Sequence, residues 1–168
     1  MIPTIVFDGV SLLAAALLVV AALHDLALRI IPNAIPIGLV CIGTLLRVHQ
    51  GSILIGSAFA LAVFAAAFFC WRRGWMGGGD VKLLGATALV VSPFQVGSFL
   101  VLTAQCGGLL AVTYLILSRT VRLPAPGRLG DRGTLGRVLR AERWRICRGA
   151  PLPYCFAIAA GGITLLLK

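Results

Sequence analysis

Apolar residues in this chain fall in long blocks rather than at amphipathic spacing. From Gly9 to Leu28 the only interruption is His24-Asp25, and the stretch is 20 residues long. At 1.5 Å per residue that matches one crossing of a bilayer core about 30 Å thick. Ile31-Pro32-Asn33 then breaks the helix, because proline lacks an amide donor and restrains the residue before it. A second block runs from about Ala34 to Val48 and a third from about Ser52 to Cys70, where Arg72-Arg73 ends it. The chain is apolar again from Val81 to Leu117, which is too short for two full spans of about 20 residues and a turn. Ser92-Pro93 divides this stretch, so the fourth span is short or begins inside Gly77-Gly78-Gly79, and the fifth takes about Phe94 to Leu117. A last block covers about Leu152 to Leu167. The pattern predicts an all-α, polytopic membrane protein of about six transmembrane helices. Residues 1–168 read as a single membrane-embedded domain with a basic loop at about 118–150.

Composition agrees with the pattern. Hydrophobic residues make up 60% of the chain and charged residues 12%, against about 25% charged in a soluble domain. No cationic region precedes the first apolar run, which therefore reads as a retained span rather than a cleaved signal. The formal net charge of +10 has its source in one place: nine arginines lie between Arg119 and Arg148. Basic residues concentrate in cytoplasmic loops, so the charge reads as topology and not as a nucleic-acid surface. Arg29, Arg72-Arg73 and the arginine-rich segment occupy alternate loops, while His49-Gln50-Gly51 and Ser92-Pro93 carry almost no charge. Both termini are thereby expected outside and the basic loops at the cytoplasmic face. Leu135, Val138, Leu139 and Ile146 share a helical face after Asp131 or Thr134, which fits a short helix on anionic headgroups. The five cysteines, Cys41, Cys70, Cys106, Cys147 and Cys155, form no C-x-x-C pair and have no histidine at ligand spacing. No metal, cofactor or disulfide framework is expected, and the cysteines read as small apolar residues in spans.

Acidic residues are rare: the chain has five. Two of them, Asp25 and Asp80, fall at the same cytoplasmic edge by the topology above. Intramembrane acids are costly and mark functional sites by default, and two that can meet form a carboxylate dyad able to activate water. Each also has a plain structural reading. Asp25 is four residues before Arg29, the spacing of a helix-surface ion pair, and Asp80 precedes an apolar helix, where aspartate is a favoured N-cap. Gly77, Gly78 and Gly79 would let an extended peptide lie beside Asp80, with a flexible loop or a tight helix contact as the structural alternative. Lys82 is a candidate for steadying the dyad or orienting substrate, with a snorkelling lysine as the alternative. His24 points to a different helix face from Asp25 and reads as packing. Asn33 reads as a cap of the second span, and Gly107-Gly108 and Gly161-Gly162 as close-packing positions.

Met76-Gly77-Gly78-Gly79-Asp80-Val81-Lys82-Leu83-Leu84 resembles the GxGD motif of membrane aspartyl proteases, and its Asp-x-Lys-Leu continuation resembles that of the prepilin peptidases. Asp25 with Arg29 and Ile31-Pro32-Asn33 is similar to the other aspartate block of that family. Pro153-Tyr154-Cys155-Phe156-Ala157-Ile158-Ala159-Ala160-Gly161 resembles its last span. The likeness covers nearly the whole chain and is greatest to the small type found in Tad/Flp pilus systems. Larger members carry an N-terminal cytoplasmic domain with paired cysteines and methylate the new N-terminus. Here the first span begins at once and no cysteine pairs occur, so methylation is not among the expectations.

The resemblance implies a membrane aspartyl endopeptidase that cleaves the basic leader of type IV, Flp-like prepilins or pseudopilins at the cytoplasmic face of a bacterial inner membrane. Asp25 and Asp80 would be catalytic, Gly77, Gly78, Gly79 and Lys82 would support the motif or bind substrate, and no metal would be needed. Two other classes stand beside it: a small proton or cation transporter using the two acids, and a non-enzymatic subunit of a pilus or secretion machine.

Overall fold

The structure, a computed structural model, describes residues 4–120 and 154–167. The helical surface predicted around Leu135 to Ile146, and most of the basic loop, lie outside the described residues. Those described are helical, with no strand: α1 Thr4–Leu28, α2 Ala34–His49, α3 Ile53–Arg72, α4 Gly78–Val90, a 3-10 turn Pro93–Gln95, α5 Val96–Thr120 and α6 Tyr154–Leu166. The chain is thus a polytopic all-α membrane protein. Three stretches, Gly9–Leu28, Ile53–Arg72 and Pro93–Thr120, are long and apolar enough to cross a bilayer, and α2 and α6 are shorter apolar helices.

The predicted blocks and the observed helices agree to within a few residues. The fourth helix does begin inside the glycine run, at Gly78. Asn33 stands at the N-cap position of α2, but its side chain makes no capping bond. That expectation fails because the amide oxygen is taken by Lys82, whose Nζ donates to Asn33 Oδ1 at 3.0 Å.

Helix α4 is the centre of the molecule. It packs against α2 and α3 on one side and α6 on the other, while α6 packs on α1 and α5. From Val81 to Val90 every α4 residue except Lys82 is buried. Leu18, Leu39, Leu83, Phe99 and Ile158 are fully buried around it. The outer faces of α1, α3 and α5 expose Leu12, Leu23, Leu54, Leu61, Leu109 and Leu115, as a lipid-solvated surface allows. Gly162 shows how closely α6 approaches: a methyl group there would lie 2.9 Å from both Leu18 Cδ1 on α1 and Thr87 Cγ2 on α4. This is the close-packing role expected of Gly161-Gly162. At Gly108 a methyl would meet nothing, so that glycine has no such role here.

Helices α2 and α4 run in the same direction. Asn33 and Lys82 meet where both begin, and Arg47 meets Leu89 and Val90 where both end. Arg47, in the last turn of α2 and ahead of the His49-Gln50-Gly51 loop, is only 2% exposed. Its Nε and one terminal nitrogen donate to the Leu89 and Val90 carbonyls at 3.2 and 2.8 Å, and the other terminal nitrogen donates to Gln50 Oε1. These are among the last carbonyls of α4, which no helical amide can satisfy, and a cation is favoured at that helix end. The charge is spent inside the protein as a cap, so it is not a marker of loop orientation.

Candidate active site

The first aspartate lies in the last turn of α1. Helix α1 ends at Leu28, and Arg29 then adopts φ 57°, a left-handed conformation that glycine normally supplies and that costs other residues roughly 1–2 kcal/mol. Its amide donates to the Asp25 carbonyl at 2.8 Å, closing the helix. His24 Nδ1 donates to the Ile30 carbonyl at 2.7 Å and fixes the turn that follows. Asp25 is thereby held on the last turn of a tied-off helix, 7% exposed.

The second aspartate is placed by the glycine run. Gly77 is extended, with φ −70° and ψ 143°, and is the N-cap of α4. Asp80 is therefore the third helical residue and not the cap, and its carboxylate accepts a hydrogen bond from the Gly77 amide. This is half of a capping box, in which an acid at that position reaches back to the first amide. The glycines are not an open strand beside Asp80. Gly78 and Gly79 are helical, and the space where their side chains would lie is filled by other residues of the chain. A methyl on Gly78 would lie 3.2 Å from Trp71 Nε1 of α3, and one on Gly79 would lie 3.1 to 3.3 Å from three atoms of Ile31. The structure thus realises the tight helix contact among the readings of these glycines. Ile31, from the turn after Asp25, meets the helix that carries Asp80.

These contacts bring the two segments to one cavity of about 320 Å³, lined by Asp25, Arg29, the glycine run, Asp80, Asn33 and Lys82. All six residues singled out from the sequence, Asp25, Gly77, Gly78, Gly79, Asp80 and Lys82, line it. The two carboxylates are near enough to act on each other electrostatically, and the Arg29 guanidinium acts on Asp80 as well. Lys82 reaches Asn33, so it joins the start of α4 to the start of α2.

One neighbour escaped the sequence reading. Cys155, fully buried in the first turn of α6, feels the charge of both aspartates. A cysteine in an apolar run carries no signal of what it faces, although it follows Pro153-Tyr154 in the last-span resemblance. Arg29 was noted as a partner of Asp25, but its left-handed turn toward Asp80 has no sequence signature.

The chain is thus a polytopic helical membrane protein that brings two carboxylates to one small cavity. A family model described as the type IV leader peptidase family matches residues 12–112, more than half of the chain and both aspartates. The chain belongs to the type IV leader peptidase family. No curated protein and no solved structure matched it. Family membership makes it a leader-peptidase-like protease embedded in a membrane.

Proposed function

We propose that the protein is an aspartic-type endopeptidase that removes the basic leader from type IV prepilins or pseudopilins of the Flp kind. It would work at the cytoplasmic face of a bacterial inner membrane, with Asp25 and Asp80 as the catalytic pair. The observation that carries this reading is the shared cavity: two acids far apart in sequence line one small space.

In the proposed reaction one carboxylate is ionised and takes a proton from water, while the other is protonated and polarises the scissile carbonyl. The hydroxide adds to that carbon, and the roles exchange as the tetrahedral intermediate collapses and the new amine leaves with a proton. Burial and the neighbouring Asp25 disfavour a charge on Asp80, and the amide of Gly77 and the cation of Arg29 offset this only in part, which suits a pair that shares one proton. In this reading Lys82 holds or orients the leader, and the arginine-rich segment favours anionic headgroups by its charge. A peptide bond inside a helix has its amide and carbonyl already paired, so a residue or two of substrate must unwind at the cavity.

Asp25→Asn and Asp80→Asn each test the pair. Each should lower processing of a co-expressed prepilin by at least about 100-fold, the lower range for a lost acid–base group, while the protein still accumulates in the membrane. Near wild-type processing by either variant would end the dyad assignment, and would leave transport or assembly as the reading to pursue.

A further inference from the structure

Beyond Asn33 and Lys82, which hydrogen-bond to each other, the cavity of the two aspartates adjoins a second, larger space. This cleft of about 610 Å³ runs between α2 and α3, and it is lined by the same Asn33 and Lys82. Helices α2 and α3 each pack closely on α4 but barely on each other, so they form two walls over an α4 floor. Ile37 and Cys41 stand on one wall, Ser57 and Leu61 on the other, and Ala86 and Leu89 on the floor.

We propose that this cleft receives the apolar helix of the membrane-embedded substrate, directly beyond the bond that is cut. The proposal rests on the peptidase reading above. Three observations favour a peptide helix over lipid chains. The cleft adjoins the cavity of the two aspartates across the Asn33–Lys82 pair, so an occupant's first residues need pass only that pair to reach Asp25 and Asp80. Its direction is right: α4 leads from Asp80 at the rim toward Leu89 in the interior, the path of a substrate whose leader stays at the surface. Small residues in the lining, Cys41, Ser57, Ala60, Gly85 and Ala86, alternate with the larger Leu61, Phe64 and Leu89, which gives a second helix positions of close approach between apolar side chains. From Lys82 to Leu89 the floor rises about 10 Å, enough for two turns of helix.

Cross-linking tests the placement without requiring turnover. In an Asp80→Asn variant with every other cysteine replaced, a single cysteine is kept at Cys41 or introduced by Ser57→Cys, Leu61→Cys or Leu109→Cys. Leu109 is exposed on α5, away from the cleft. The partner is full-length prepilin with one cysteine in the first two turns of its apolar helix, oxidised in membranes. Positions 41, 57 and 61 should cross-link at least about tenfold more than position 109, a preference of about 1.4 kcal/mol. Equal yields, or a dominant yield at 109, would overturn the proposal. So would enzyme-to-enzyme adducts exceeding enzyme-to-substrate adducts at 41 and 57, which would assign the cleft to a second copy. In the active enzyme, Ser57→Trp should slow full-length processing at least about tenfold. Cleavage of a short peptide that spans the scissile bond but lacks the helix should be unchanged. A wild-type enzyme that cuts the short peptide yet gives no cleft cross-links refutes this inference alone. A wild type that cuts neither substrate refutes the peptidase reading, and the inference with it.

Discussion

Gly79 is where the two aspartate segments are pressed together. Ile31 occupies the space its side chain would take, so the residue that looks like freedom in the sequence acts as a spacer of zero size. Gly79→Ala has two opposing effects. Alanine favours the helix by roughly 0.5–1 kcal/mol, while its methyl must displace Ile31 by a few tenths of an ångström. Thermal stability should therefore change little, but activity should fall on the order of tenfold, because catalytic geometry tolerates less displacement than folding does. Adding Ile31→Ala to Gly79→Ala should restore much of the lost rate, since it vacates the space. A double variant no faster than Gly79→Ala, by initial rates on prepilin, would show that the contact does not set the spacing. Both aspartates were legible at this scale, because acids are scarce in an apolar chain. The way they meet was not: neither the left-handed turn at Arg29 nor the thiol of Cys155 leaves a trace in local composition.

Among the elements, α4 is the least like a membrane span and the most enclosed. Thirteen residues long, it extends about 20 Å and cannot cross the hydrocarbon core alone. Its first amides are served through Gly77 and Asp80, its last carbonyls by Arg47. Gly43 and Gly56 make room for the second arrangement: a methyl on Gly43 would press on the Leu89–Val90 backbone at 3.0 Å, and one on Gly56 would lie 2.7 Å from Arg47 Cδ. Arg47→Met keeps the apolar stem but strands two buried carbonyls, which costs about 1–3 kcal/mol. The thermal midpoint in detergent should drop clearly, and Arg47→Lys should fall between, since lysine keeps the charge without the planar fork. No drop in Arg47→Met would mean that water replaces the guanidinium. Block length, Pro32, Pro93 and the paired arginines made the helices and their ends readable. The role of Arg47 was not legible, because a cation close to a loop looks the same in sequence whether it faces solvent or a helix end some forty residues away.

At the scale of the molecule, Asp25 and Asp80 lie at one end of the helices and Arg47 at the other. The orientation of the aspartate end is open to direct test. Single cysteines in the segment from Arg119 to Arg148 should resist an impermeant thiol reagent applied to intact cells, and a cysteine replacing His49 should react. The reverse pattern would put the aspartates on the wrong side for a cytoplasmic leader. What the linear pattern did not convey is the gap between α2 and α3, since both helices read as ordinary apolar spans and only their shared packing on α4 holds them apart. That gap faces sideways. An enzyme entered through its flank meets its substrate by diffusion within a sheet, so the concentration that governs its rate is molecules per area of bilayer and not molecules per volume. Enzyme and prepilin co-reconstituted at fixed bulk amounts should then turn over more slowly as extra lipid is added, in roughly inverse proportion while substrate is below saturation. A rate indifferent to added lipid would mean that the substrate arrives through water.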